Sequence, residues 1–180
     1  MNDTKRQMNI PFVTQEDPFY VKVFFEEFLK NYNDLTEIKG VVICSTLGKK
    51  SIQKLIKQVY DLYGFVGFIK MCFRLLGKKI TGSDSLEHLF SRYNIHTEKS
   101  NDINSQDFID KWRQKDLNLI ISVACSVIFK QPLLNLPRLG CINIHHGKLP
   151  RYRGMMPNFW QMLNNEKTAG ITIHRINPKI

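Results

Sequence analysis

Asn143, His145 and His146 stand together in the stretch NIHHGKLPRYRG, at the end of a short apolar run. An asparagine amide can donate to a carbonyl oxygen as that oxygen gains negative charge, and an imidazole can handle the proton of an attacking amine. These residue types suit acyl transfer. Two adjacent histidines also raise the question of a metal. Successive side chains of a strand point to opposite faces, however, so Asn143 and His145 share one face while Ile144 and His146 take the other. Such a pair is poorly placed to chelate one ion, and no cysteine or carboxylate stands at a helpful spacing. No metal site is expected. Taken alone, Asn-x-His at a strand end is more often what a hydrogen-bonded structural histidine looks like, so its setting must decide.

The elements that would position the pair are legible from hydrophobic period and turn residues. Asn9 to Val13 reads as a strand and Phe19 to Lys30 as an amphipathic helix, with Asp17 as cap and Pro18 in the first turn. Gly40 to Cys44 is a second strand, completing a βαβ unit with a parallel pair. Ser85 to Tyr93, capped by Ser85, and Ser105 to Lys115 read as helices, with a short strand over Asn94 to Thr97. Leu117 to Cys125 and Leu139 to His145 are nearly continuous apolar runs, the pattern of parallel strands buried on both faces. Pro157 to Asn164 reads as a helix and Ala169 to Ile176 as a last strand. The fold class is α/β: a Rossmann-like, mostly parallel sheet flanked by helices. In such sheets ligands bind outside the carboxyl ends of the strands, which places the site at Asn143 and beyond. A sheet that ends just after a strand with no closing helix suggests truncation at the C-terminus.

A length of 180 residues suits one domain. Hydrophobic content of 43% and charged content of 23% are ordinary for a soluble fold, and neither a signal-peptide pattern nor a membrane-spanning run opens the chain, so a cytoplasmic protein is expected. Cys44, Cys72, Cys125 and Cys141 form no CxxC pair and read as small buried hydrophobes without a disulfide. The net charge of +10 suits nucleic acid or a phosphorylated small substrate, but its scattered lysines also fit a background composition bias. Ser51 to Ile80 is set apart as a basic, aromatic helical insertion. Its aromatic stripe and basic flanks would suit a membrane surface or a partner helix, although a helix packed on the domain is the preferred reading.

The run GCINIHHGKLPRYRGMMPNFWQMLNNEKTAGITIH resembles the folate-dependent formyltransferases: Asn-x-His, Leu-Pro, a Tyr-Arg-Gly triplet, a Pro-started helix and Gly-x-Thr on a strand. Asn143, His145, Leu149, Pro150, Tyr152, Arg153, Gly154, Pro157, Gly170 and Thr172 match. The resemblance extends over roughly Phe12 to Ile180, interrupted by the insertion. It implies transfer of a formyl group from 10-formyltetrahydrofolate to an amine. Asn143 would hold the formyl oxygen and His145 would stabilise the tetrahedral intermediate and assist proton transfer. The loop Ser126 to Phe129, with Ile128, would present backbone groups to the pterin, and Leu149 and Pro150 would shape the adjoining wall. Core packing is the competing reading for Ile128 and Phe129, and His146 and His174 read as structural. The family's catalytic aspartate would fall just past Ile180.

Three acceptors follow from the resemblance. Glycinamide ribonucleotide enzymes carry a glycine-rich phosphate loop after the first strand, where this chain has Thr14-Gln15-Glu16-Asp17-Pro18. Enzymes acting on initiator methionyl-tRNA add a C-terminal RNA-binding domain, for which 180 residues leave no room. A nucleotide-linked amino sugar is the preferred small-molecule acceptor. An inactive folate-binding fragment lacking the aspartate is the alternative outside enzymology.

Overall fold

The computed structural model describes residues 8–16, 20–32, 37–45, 56–57, 60–61, 63–70, 72–73, 85–154 and 156–178. Six strands form one sheet: β1 (Asn9–Gln15), β2 (Glu37–Cys44), β3 (Thr97–Ser100), β4 (Ile120–Val123), β5 (Cys141–His145) and β6 (Thr172–Arg175). Their spatial order is β3-β2-β1-β4-β5-β6. β1 to β5 pair parallel and β6 runs antiparallel to β5. The helices are α1 (Val21–Tyr32), α2 (Leu86–Ser91), α3 (Gln106–Arg113), α4 (Gln131–Leu134) and α5 (Pro157–Leu163). The predicted α/β architecture, mostly parallel, is the one observed.

Alternation along the strands divides the core into two layers. Phe12, Val41 and Ile43 point to one face, where they meet Val21, Phe25 and Leu29 of α1 and Leu86, Leu89 and Phe90 of α2. Val13, Val42 and Cys44 point to the other, against Phe108, Ile109 and Trp112 of α3 and Leu133 and Leu134 of α4. Ser85 caps α2 as expected, and Ser105 caps α3 in the same way, each accepting a backbone N–H three residues on, His88 at 3.2 Å and Phe108 at 3.4 Å. The proposed Asp17 cap lies outside the described residues.

Several predicted boundaries move. The strand over Leu117 to Cys125 shortens to β4 because Leu117 and Asn118 turn their carbonyls to Arg138 and Leu139, while Ala124 at φ +51° ends the run. Asn94 to Thr97 is not the third strand. Asn94 closes α2 in the left-handed region, and β3 begins only at Thr97. The helix α4 was not anticipated in the Val127 to Leu136 stretch, since at 4 residues it has too little length to show a period. Residues 63–70, within the stretch set apart as an insertion, are helical. Tyr63, Phe65 and Val66 there are 49%, 63% and 66% exposed, so these side chains do not pack on the domain as preferred from the sequence. Among the described residues no helix is long and apolar enough to cross a membrane.

The strand order reverses between β1 and β4, where the chain leaves one half of the sheet for the other. Carboxyl ends flanking such a switch open a crevice between their loops. Ser126, just beyond β4, donates its N–H to Gln15 Oε1 at the end of β1 (3.3 Å), which ties the two lips together.

Candidate active site

The site is built at the carboxyl end of β5. Cys141 is in the α3 and α4 core and Ile144 packs against the α1 and α2 core, so the two-residue period puts Asn143 and His145 on the same face as Cys141. The predicted shared face of Asn143 and His145 follows directly. β5 ends at His145, so strand alternation does not decide the direction of His146, whose carbonyl accepts a hydrogen bond from Gln161 Nε2 (3.3 Å).

β6 completes each position from the other side. In its antiparallel register Asn143 faces His174 and His145 faces Thr172. His174 Nδ1 lies 3.0 Å from the Arg175 carbonyl, which can only accept, so that nitrogen carries the proton. Its Nε2 is then an acceptor for Asn143 Nδ2 at 3.3 Å. One amide hydrogen of Asn143 is thereby engaged and the second remains for a ligand. His174, read as structural from the sequence, orients the amide. The missed signal was the alternation of Thr172 and His174 on a strand opposite the Asn-x-His face.

His145 is oriented by its own loop. Its Nε2 donates to the Tyr152 carbonyl at 2.7 Å, so the neutral ring presents a bare Nδ1. The close approach needs Gly147. A Cβ there would stand 2.7 Å from Pro157 Cβ, 3.0 Å from the Tyr152 carbonyl oxygen and 3.1 Å from His145 Nε2. Tyr152 is 5% exposed, and its hydroxyl donates to Glu166 Oε1 (2.7 Å). Glu166 also receives Lys148 Nζ at 2.8 Å and Arg151 at 3.4 Å. Hydrogen bonds from Lys148 and Tyr152 hold its carboxyl below the usual glutamate range. Sequence reasoning missed Glu166, which lies between α5 and β6 without a neighbouring motif residue to mark it.

Leu149 and Pro150 follow in the same loop across a cis peptide bond. The Leu149 N–H donates to Thr172 Oγ1 (3.1 Å), and that hydroxyl donates to the Gly147 carbonyl (2.7 Å). Gln161, 2% exposed, fastens the loop to α5 and β6 by accepting the Gly170 N–H (2.9 Å). The structure thus brings Asn143, His145, Leu149 and Pro150 into one constellation.

Ser126, Ile128 and Phe129 belong to the neighbouring lip, after β4. Their side chains divide. Phe129 is 4% exposed and part of the core, whereas Ile128 is 78% exposed. Core packing therefore holds for Phe129 and not for Ile128. Asn104 braces the backbone between them, donating to the Ile128 carbonyl (3.0 Å) and accepting the Lys130 N–H (2.8 Å). The Ser126 and Val127 carbonyls and the Ile128 N–H take no protein partner among the described residues. Among the described residues no three histidine, cysteine or carboxylate side chains cluster as a metal site.

An α/β sheet with an amide and an imidazole on one face at its carboxyl edge carries the groups that acyl transfer needs. Residues 76–180 match the family model described as "Formyl transferase", and the chain belongs to that family. It is 33% identical over 121 residues to the methionyl-tRNA formyltransferase of Clostridioides difficile (strain 630), an alignment covering 67% of this chain and 38% of the relative. It is 32% identical over 139 residues to the bifunctional polymyxin resistance protein ArnA of Wigglesworthia glossinidia brevipalpis, covering 71% of this chain and 21% of that protein. The chain therefore spans well under half the length of either relative. Among solved structures, phosphoribosylglycinamide formyltransferase from Anaplasma phagocytophilum superposes with a TM-score of 0.59 at 15% identity, over 96% of this chain and 66% of that one. That likeness concerns the fold.

Proposed function

We propose that the protein transfers a formyl group from 10-formyltetrahydrofolate to the amine of a nucleotide-linked amino sugar, with Asn143 and His145 as catalytic residues. The observation that carries the reading is that both side chains share one face and each is oriented by a second group, Asn143 by His174 and His145 by Tyr152. Preorganised donors of this kind act where charge develops. The donor folate supplies the formyl carbon and a leaving amine nitrogen. The free Asn143 N–H meets the formyl oxygen as it becomes an oxyanion, and the bare Nδ1 of His145 accepts the proton lost by the attacking amine. In the protonated form His145 also stabilises that oxyanion. The unpaired backbone of Ser126 to Ile128 would hold the pterin edge, with Ile128, Leu149 and Pro150 as apolar walls.

The acceptor follows from the far side of Tyr152. Arg151, Tyr152, Arg153, Trp160 and Asn164 border a recess of about 290 Å³. Arg153 makes no ion pair among the described residues, and Trp160 is 47% exposed. A guanidinium for phosphate and an indole for a base or sugar ring suit a nucleotide-linked acceptor. A second reading, with methionyl-tRNA as acceptor, is favoured by the net charge of +10. Incubation of the purified protein with 10-formyltetrahydrofolate and either a panel of amino-sugar nucleotides or methionyl-tRNA separates the two. Formylation of a nucleotide sugar is expected; formylation of methionyl-tRNA alone would replace the acceptor, and none with any amine would remove the proposal.

A further inference from the structure

Cys44 and Cys125 are far apart in sequence, yet their sulfurs lie 3.7 Å apart. Cys44 ends β2 and Cys125 follows β4, the two strands flanking β1, so the thiols meet across the switch point of the sheet. The two differ in setting. Cys44 is 2% exposed, held by the β2 ladder and packed in the α3 and α4 core. Cys125 lies outside any strand, after the left-handed Ala124, and is only partly buried. A recess of about 240 Å³ bordered by Glu16, Cys44, Ser45, Lys99 and Ser100 lies on the Cys44 side of the pair.

We infer that Cys44 and Cys125 form an oxidisable dithiol, a modification site in which Cys125 reacts first with a peroxide and Cys44 resolves the product as a disulfide. The Cys125 thiolate attacks the peroxide, the O–O bond breaks, and Cys125 becomes a sulfenic acid as the peroxide's second oxygen leaves and is protonated to water. The Cys44 sulfur then attacks the Cys125 sulfur. The S–O bond breaks, the thiol proton goes to the departing hydroxide, and a second water leaves. Two thiols are oxidised and one peroxide is reduced.

The order of the thiols follows from their surroundings. The contact with Cys44 and a hydrogen bond with the Val127 backbone lower the Cys125 thiol below its ordinary value despite its burial. The same contact, together with burial, pushes Cys44 up. The thiol whose value is lowered is therefore the one outside any strand and only partly buried, which is the more reactive arrangement. Forming the S–S bond brings the sulfurs closer by about 1.7 Å, to the usual ~2.05 Å. A bridge there would tie the lip that carries Ser126 and Ile128 to β2. Cys141 is the internal comparison, since burial pushes its thiol up to about 12 and no second cysteine contacts it.

The test is to treat the folded protein with hydrogen peroxide, alkylate the remaining thiols after unfolding, and map peptides by mass spectrometry. The expected product is a linked Cys44–Cys125 peptide pair, about 2 Da lighter than the sum of its thiols and separated by dithiothreitol. Cys44→Ser should leave Cys125 as a sulfenic acid that dimedone traps, and Cys125→Ser should leave Cys44 as a thiol. Free, alkylated Cys44 and Cys125 in oxidised wild-type protein would overturn the inference, and so would linkage through Cys72 or Cys141. Dimedone on Cys44 in the Cys125→Ser protein would reverse the assigned order. These readouts use no formyl transfer, so they stand or fall apart from the proposed activity.

Discussion

His145 donates through Nε2 to the backbone carbonyl of Tyr152 at 2.7 Å, across a loop that closes on itself over Gly147. The bond sets the tautomer of the neutral ring. It also makes the chemistry of His145 depend on a glycine and on the placement of Tyr152.

Gly147→Ala tests the first dependence. Its Cβ would crowd Pro157, the Tyr152 carbonyl and His145 Nε2 together, and backbone atoms yield less readily than a flexible side chain. Thermal unfolding should show a loss of about 1–3 kcal/mol, the usual cost of overpacking, with formyl transfer falling further than stability explains. A variant with unchanged turnover would show that the His145–Tyr152 bond is dispensable.

Glu166 tests the second. Its carboxyl is held below the ordinary value of 4.5 by Lys148 and Tyr152. A depressed folded-state value means that the contribution of the ionised group is complete above pH 4.5 and is lost as the pH falls below it. The melting temperature of wild type should exceed that of Glu166→Gln at neutral pH, and the difference should narrow between pH 4.5 and lower values. The carboxylate is partly exposed and its partners are long side chains, so the difference should be small. A gap that widened in acid would contradict the arrangement.

His174→Leu removes the acceptor that orients Asn143 while keeping an apolar side chain on β6. Misplacing a group that must meet a developing charge is costly, so kcat should fall roughly 10-fold to 100-fold with KM for the folate little changed. His174→Gln, whose side-chain oxygen can accept from Asn143, should recover part of the loss. Equal damage in the two variants would make His174 a packing residue.

Stability rests on the α1 face of the sheet. Phe25 is fully buried, with its ring centroid 5.3 Å from Phe12 and 4.9 Å from Phe90. Phe25→Ala should cost about 3–5 kcal/mol in denaturant unfolding. A loss below 1 kcal/mol would mean that α1 is not packed as described.

The legible parts of the molecule are those where one local rule acts alone. The shared face of Asn143 and His145 is a matter of strand period, and the cap at Ser85 answers to unpaired backbone N–H groups in the next three residues. The start of β4 was not legible, because Leu117 and Asn118 are apolar enough or extended enough for a strand but spend their carbonyls on the Arg138 to Leu139 turn. The pairing of Asn143 with His174 depends on the antiparallel register of β6, which no spacing in the sequence specifies. Glu166 is similar: its partners Lys148 and Tyr152 lie 18 and 14 residues away, and only the folded loop brings them to one carboxylate. Phe129 and Ile128 show the same limit at adjacent positions, one in the core and one in solvent.

The central claim is that Asn143 and His145 carry formyl transfer. Its most direct test is single-turnover formylation of the amine acceptor from 10-formyltetrahydrofolate by wild type, Asn143→Ala and His145→Ala, with circular dichroism to establish folding. Removal of one oxyanion donor or one acid/base group should slow transfer by roughly 10²- to 10³-fold in each folded variant, while His146→Ala remains within a few-fold of wild type. Wild-type turnover in folded Asn143→Ala or His145→Ala would contradict the account.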